Sequence, residues 1–293
     1  MGRLADWIAR RKQFEPAGHR VGGGMAEVRL GRLVRSVSGD ANVWDGLRIP
    51  DLENNGRREI DMVIAGREET LFVEQKHWSG ELNFENGCFL QTQRSGRIID
   101  HGDIHSWTER KMKLIQTIHK DRTNEEIVNP KVIIVLSNKN LVINNAPKHL
   151  MIMNEIDLIE YLQDKDLNKP EDLLIETLEG FGTWDSIHFH GGMSLNGDIM
   201  TIGLDLDDWM EEINDLKTLN ISHRNKFYHL ITGVNSTLEV QGEMPQLRRD
   251  FIGQPSIYMH VVGESEPREI NLSYLFKIEL SKRPKPWGVN PGE

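Results

Sequence analysis

Residues 59–82 read EIDMVIAGREETLFVEQKHWSGEL, and this stretch decides how the remainder of the chain is read. Two apolar runs, MVIA at 62–65 and LFV at 71–73, flank Gly66-Arg67-Glu68-Glu69. Runs of this kind joined by a short polar link with a glycine predict a β-hairpin, with strands over 58–65 and 70–76. Residues i and i+2 of a strand share a face. Glu74 and Lys76 therefore look the same way and Gln75 looks away. With the turn at 66–69, residues whose numbers sum to about 135 stand opposite each other, which sets Asp61 across from Glu74. Charges inside apolar strands are costly unless they are used. Facing carboxylates repel unless a cation or a proton lies between them.

The chemistry of such a pair is specific. Hard oxygen ligands suit Mg²⁺ or Mn²⁺, and the Gln75 carbonyl offers a third oxygen beside Asp61 and Glu74. Lys76, on the same face, is placed to position or deprotonate a water, or to stabilise charge on a phosphate. Together these groups fit metal-assisted hydrolysis of a phosphodiester. The competing reading is a salt-bridged surface strand, because Glu-x-Lys is common and an exposed pair contributes only about 0–1 kcal/mol. Glu27, on an early helix, adds a further acid.

The same stretch resembles the core of the nuclease-related domain family, NERD, within the restriction-endonuclease-like, PD-(D/E)xK superfamily. The likeness rests on Ile60-Asp61, on Glu74-Gln75-Lys76 at the end of the second strand, and on His77-Trp78-Ser79-Gly80 after it. His77 stands where the family more often has Asn. Upstream, GGMAEVRLGRLV resembles the family's first helix, with Glu27 at its acidic position. The resemblance covers roughly residues 20–163. It implies an α/β (α+β) fold with a central mixed sheet flanked by helices. It also implies a Mg²⁺- or Mn²⁺-dependent nuclease. By that resemblance Asp61 and Glu74 ligate the metal, Lys76 serves the attacking water, and Glu27 assists. Gln91 and Gln93 after the hairpin, and Lys111 and Lys113 on a later helix, are weaker candidates for contacts near phosphate; ordinary surface polarity is their alternative.

Around this core, helices are expected over 5–13, 25–37, 107–120 and 155–163, with VGGG at 21–24 breaking the chain before the second. Strands are expected over 43–49 and 131–136, with short ones at 141–143 and 150–153. Asn86-Gly87 predicts a tight turn inside a second hairpin over 81–99. The polar stretch DKDLNKPED, 164–172, suggests a boundary, giving a nuclease-like domain over 1–164 and a second module over 165–293. That module reads as β-rich α+β, with a helix at 171–179, another at 207–216, and strands near 187–190, 199–206, 219–222, 238–241, 257–262 and 272–280.

Net charge is −10 over 293 residues, which argues weakly against general nucleic-acid affinity. The acidity is uneven. Residues 1–164 hold 23 Lys and Arg against 24 Asp and Glu, whereas residues 165–293 hold 12 against 21. Nucleic acid, DNA by superfamily analogy, is thus expected at the first domain. The acidic module suits a protein partner or self-association instead. A single cysteine excludes an intrachain disulfide and a Cys-rich zinc site, and the amphipathic start lacks the apolar region of a secretory signal. No apolar run is long enough to cross a membrane as a helix, so a cytoplasmic protein is expected. A non-catalytic binding or sensing protein on the same fold is the alternative in function. His188 and His190, on one strand face, and His101 and His105, around Asp103, are read as ordinary polar or capping residues before zinc ligands. Trp78 is read as a packing residue before a base-stacking one.

Overall fold

A computed structural model describes residues 18–51, 56–165, 167–190, 193–201, 218–223, 231, 234–241, 248–252, 256–262, 264 and 266–290. The Cα positions group into two compact units. One comprises Ala17–Gly182 with Pro284–Glu293; the other holds Thr183–Arg283. The division at 182/183 lies later than the expected boundary at 164/165, so the helix over 171–179 packs with the first unit.

The first unit is built on a five-stranded mixed sheet in the order β1-β2-β3-β7-β9. These strands are β1 (Asn42–Asp51), β2 (Gly56–Ala65), β3 (Thr70–Lys76), β7 (Pro130–Leu136) and β9 (Met151–Asn154). β1, β2 and β3 run antiparallel, while β3, β7 and β9 are parallel. β7 reads PKVIIVL, an apolar run without alternation, because it is covered on both faces. Val132, Ile134 and Leu136 join one core with helix α2 (Ile104–Thr123) and helix α4 (Asp172–Glu179). Ile133 and Val135 join the other with α1 (Gly18–Val37) and α3 (Glu155–Gln163). This is the α+β arrangement expected, a mixed sheet between helices.

Strands β4 (Gly80–Glu85), β5 (Cys88–Thr92), β6 (Ile98–Asp100) and β8 (Leu141–Ile143) form a second, four-stranded sheet. The β4–β5 turn is Asn86-Gly87, with φ of 52° and 83°, the two positive values that a tight hairpin turn needs. The second unit carries an antiparallel sheet of β10 (Asp185–Phe189), β11 (Ser194–Thr201), β12 (Thr218–His223), β13 (Val234–Gln241), β14 (Arg248–Ile252), β15 (Ser256–Val261), β16 (Arg268–Asn271) and β17 (Leu275–Glu279), in the order β14-β13-β12-β17-β10-β11-β15-β16. Its buried positions alternate, as Ile257, Met259 and Val261 show in β15 (Ser256–Val261), so one face is packed. No described helix is long and apolar enough to cross a membrane.

Two local readings change. Helix α1 runs unbroken through Val21-Gly22-Gly23-Gly24. Gly costs only about 1 kcal/mol in a helix interior, and the buried stripe Ala26, Leu30 and Val34 outweighs it. Helix α2 begins at Ile104, three residues before the expected start, because Asp103 caps it by accepting from Ser106 N at 2.9 Å. The expected helices over 5–13 and 207–216 lie outside the described residues.

One irregularity positions the site. β1 and β2 pair in constant register, but the pairing skips Gly46 and Asp61. Before that step Leu47, Ile49 and Ile60 face the α2 core; beyond it Trp44, Val63 and Ala65 do so. The numbering parity switches in both strands at Gly46–Asp61, so the inward–outward phase changes there. Gly46 has φ of +60°, and a Cβ added to it would lie 3.3 Å from Glu59 Oε1. A left-handed conformation costs a non-glycine residue about 1–2 kcal/mol. Gly46→Ala should therefore lower unfolding stability by about that amount. An unchanged urea midpoint would show that this step does not need glycine.

Candidate functional site

β2 and β3 are paired from Ala65↔Thr70 to Met62↔Val73. The register sums to the expected value, and the pairing ends one step before Asp61 and Glu74. β3 nevertheless continues against β7 through Lys76. The two strands of the hairpin therefore part at the acid pair. Gln75 N–H, left without a strand partner on the β2 side, donates to Asp61 Oδ2 at 2.7 Å. Asp61 thus holds the divergence closed and is itself held in place.

Lys76 brings the group together. Its Nζ lies 2.6 Å from Glu74 Oε1, 3.1 Å from the Gln75 carbonyl oxygen and 3.7 Å from Asp61 Oδ2. Three oxygens from Asp61, Glu74 and Gln75 converge on one cationic nitrogen. The Gln75 side chain points to the opposite face and is buried, and its Nε2 finds no partner. Across the α2 face, Lys111 Nζ donates to Glu74 Oε2 at 2.7 Å, and Thr108 Oγ1 lies 3.4 Å from the same oxygen. Glu74 is 7% exposed. These are half-buried and buried pairs, unlike the exposed ion pair of the competing reading.

Electrostatics separates the two acids. Burial is the largest influence on Asp61, followed by the charge of Glu74, and together they push its pKa up to about 7. Burial also opposes ionisation of Glu74, but Lys76 and then Lys111 outweigh it, and its pKa is lowered. Burial works against the charge on Lys76, yet Asp61 and Glu74 hold its pKa above the ordinary value. Glu74 is thus the ionised acid and Asp61 the one that titrates near neutrality. Glu27, on α1, keeps an exposed surface. Its pKa is raised, first by the protein that displaces water around it and then by Glu59, while Lys76 acts in the opposite direction. Glu27 stands beside the cluster and feels it, outside the three-oxygen set.

The remaining candidates have distinct places. Lys111 joins the site, by holding Glu74. Lys113 turns to another side of α2 and pairs with Glu109 at 2.9 Å. Gln91 is buried at 4% exposure, donating from Nε2 to Ser79 O at 2.7 Å and bonding His101 Nε2 through Oε1 at 3.0 Å. Gln93 follows β5 in a turn, its N–H donating to Arg97 O. Trp78 stacks on His101, ring centroids 3.9 Å apart, and packs against the core. His188 bonds Glu279 at 2.8 Å across the sheet. Sequence reasoning missed Thr108 and the link from Lys111 to Glu74. The i, i+3 spacing of Thr108 and Lys111 on a helix face was their only available signal.

Among the described residues no three His, Cys, Asp or Glu side chains gather closely enough to hold a metal. The available set is two carboxylates and a backbone carbonyl, all hard oxygens. The Lys76 ammonium stands in for a cation among them, so the donors fit a small divalent ion.

A buried acid–lysine centre at the parting edge of a helix-flanked mixed sheet is therefore the feature that defines this unit. Residues 22–137 match the family model of the nuclease-related domain, NERD. The match runs from helix α1, which carries Glu27, past β3 and β7, and includes the complete centre. No curated protein and no solved structure matches the chain.

The raised pKa of Asp61 has a sign that can be tested. An acid whose folded pKa exceeds its unfolded value contributes most stability below the unfolded pKa, and that contribution is lost as pH rises through the folded one. The ordinary value is 3.8 and the folded value about 7. Asp61→Asn still accepts from Gln75 N–H and cannot ionise. In EDTA its stability relative to wild type should rise from about pH 4 to about pH 7. Parallel stability curves for the two proteins would contradict the raised value.

Proposed function

We propose that the first unit is a metal-dependent nuclease that hydrolyses phosphodiester bonds of nucleic acid, with DNA as the expected substrate. The observation that carries this reading is the convergence of Glu74 Oε1, the Gln75 carbonyl and Asp61 Oδ2 on a single cation, Lys76 Nζ. The NERD match over residues 22–137 supports a nuclease-related role.

Asp61, Glu74 and the Gln75 carbonyl are the residues that would hold Mg²⁺ or Mn²⁺. The bound ion would lower the pKa of a coordinated water and offset charge on the phosphate. The protein's own groups supply the remainder. Lys111 and Thr108 hold Glu74 in one orientation, which keeps its second oxygen turned to the cluster. Gln75 N–H fixes Asp61 in the same way. With those oxygens committed to a cation, Lys76 would be free to hold the attacking water or to donate to a phosphate oxygen. Glu27, which feels the charges of Lys76 and Glu74, is proposed to orient that water. Asp61, whose pKa is pushed up to about 7, would have to lose its proton to ligate a cation, so cation affinity should rise with pH in that range.

The second unit, Thr183–Arg283, is proposed to serve as a partner-binding or self-association module, and the whole protein as a cytoplasmic one. The excess of 15 acids over 9 bases in residues 183–283 favours a protein partner over nucleic acid there.

Two measurements on one variant test the site. Lys76→Ala should lower Mg²⁺-dependent cleavage of supercoiled DNA by about 100-fold or more, with an unchanged circular dichroism spectrum. Because Lys76 competes for the cation's oxygens, the same variant should bind Mg²⁺ at least as tightly as wild type by calorimetry. Cleavage at the wild-type rate would remove Lys76 from the chemistry. Weaker Mg²⁺ binding would mean that Lys76 supports the cation site and does not compete for it.

A further inference from the structure

Beside the acid–lysine centre lies a cleft of about 380 Å³, lined by Asp51, Arg58, Trp107, Arg110, Lys111 and Leu114. Four of these residues, Trp107, Arg110, Lys111 and Leu114, follow the i, i+3, i+4, i+7 pattern along one face of α2. Lys111 forms the wall between the cleft and the centre, since its Nζ sits on Glu74. A ligand in the cleft is one side chain away from the reacting groups.

The chemistry of the lining is cationic and aromatic. Helix α2 holds five Lys and Arg against two acids, in a chain whose net charge is −10. The acid of the cleft, Asp51, is 1% exposed. It accepts from Arg58 Nε at 3.1 Å and from Arg110 Nη2 at 2.8 Å, one guanidinium on each oxygen. One buried carboxylate thus fixes two cations. Their side chains remain 51% and 43% exposed, so both present charge to a ligand.

Trp107 is 57% exposed. It is nevertheless held. Its ring lies so close over Gly102 that a Cβ there would meet ring carbons at 2.6 and 2.7 Å. One part of the indole is seated on backbone and the remainder is offered outward. A rigid aromatic flanked by arginines matches what an unpaired nucleotide presents, a π face and a phosphate. In a duplex the base faces are stacked inside and are not available to an indole. The cleft volume is near the lower end of small-ligand sites, roughly 300–1,000 Å³, which suits one nucleotide.

The cleft shares Asp51, Arg110 and Leu114 with a larger groove of about 650 Å³. That groove continues along α2 past Lys113 and Thr117 to Arg122 and Trp287. Arg122 lies over the Trp287 ring at 3.8 Å. A strand leaving the cleft therefore meets Lys113 and Arg122 on the same helix and Trp287 beside it.

Resting on the nuclease reading of the adjoining centre, we propose that the cleft between Trp107, Arg58 and Arg110 takes one unpaired nucleotide next to the scissile phosphate. The base stacks on Trp107 and its phosphates meet the two arginines. The preferred substrate is then single-stranded or frayed nucleic acid, not intact duplex.

The test is fluorescence anisotropy with a labelled 20-nucleotide DNA strand and with its duplex, in EDTA so that binding is read without cleavage. Wild type should bind the single strand about tenfold or more tightly than the duplex. Trp107→Ala should lose about tenfold in single-strand affinity, the size of one stacked base, with duplex binding unchanged, and Trp107→Phe should keep most of it. Trp107→Ala binding the single strand as wild type does, or wild type binding both probes equally, would overturn the proposal. The same probes with Mg²⁺ separate the two readings. Trp107-dependent single-strand binding without cleavage of either probe would defeat the nuclease reading and leave the cleft. Equal cleavage of both probes, untouched by Trp107→Ala, would leave the nuclease and defeat the cleft.

Discussion

The parting of β2 from β3 is the constraint on which the site depends. Up to Met62 and Val73 the two strands satisfy each other's backbone groups. One step further the ladder ends, and the donor at Gln75 must find another acceptor. Asp61 supplies it at 2.7 Å. A carboxylate that would otherwise point to a face is thereby drawn into the gap between strands, where Glu74 already stands. Two acids in one small space repel unless a cation or a proton intervenes; Lys76 provides the cation, and the pKa of Asp61 is pushed up to about 7. The Gly46 step allows this. It changes the phase of β1 and β2 together, so that the core remains packed on both sides of the place where regular pairing stops.

The surrounding fold keeps that gap rigid. β3 is held on its other edge by β7 from Thr70 to Lys76, so divergence from β2 does not release it. At the far end of the hairpin the turn is fastened too. Buried Glu69 accepts from Lys131 at 2.5 Å and from Tyr161 OH at 2.9 Å, linking β3's start to β7 and α3. On the α2 side Lys111 reaches across to Glu74. The same helix turns Trp107, Arg110 and Lys113 outward, so one element both orients the acid and presents the cationic surface beside it. This division within one helix concentrates positive charge beside the centre, in a chain whose net charge is −10.

Much of the first unit was legible in the sequence. The hairpin strands were readable because MVIA and LFV are short apolar runs around a glycine turn. The acid pair followed from counting across that turn, and the NERD likeness was carried by the same residues. β7 was readable as a strand buried on both faces, and Asn86-Gly87 as a tight turn. The unbroken α1 was not legible, since three successive glycines argue locally against a helix and only tertiary burial of Leu30 and Val34 overrides them. Nor was the link between Lys111 and Glu74 legible, because it joins residues far apart in the chain through the packing of α2 on the sheet. Gln91 had the polarity of a phosphate contact, but the fold commits both ends of its amide to Ser79 and His101. The second sheet of the first unit was visible only as a hairpin; β8 joins it by a parallel pairing with β4 that no local pattern announces.

Asp61, Glu74 and the Gln75 carbonyl are proposed to form a site for a divalent cation, with Lys76 as its displaceable occupant. A crystal of the protein soaked in Mn²⁺ tests it most directly. The expected result is an anomalous peak within direct bonding distance of all three oxygens, with Lys76 Nζ moved away from Glu74. An anomalous map with no peak at these oxygens, and Lys76 still seated on Glu74, would contradict it.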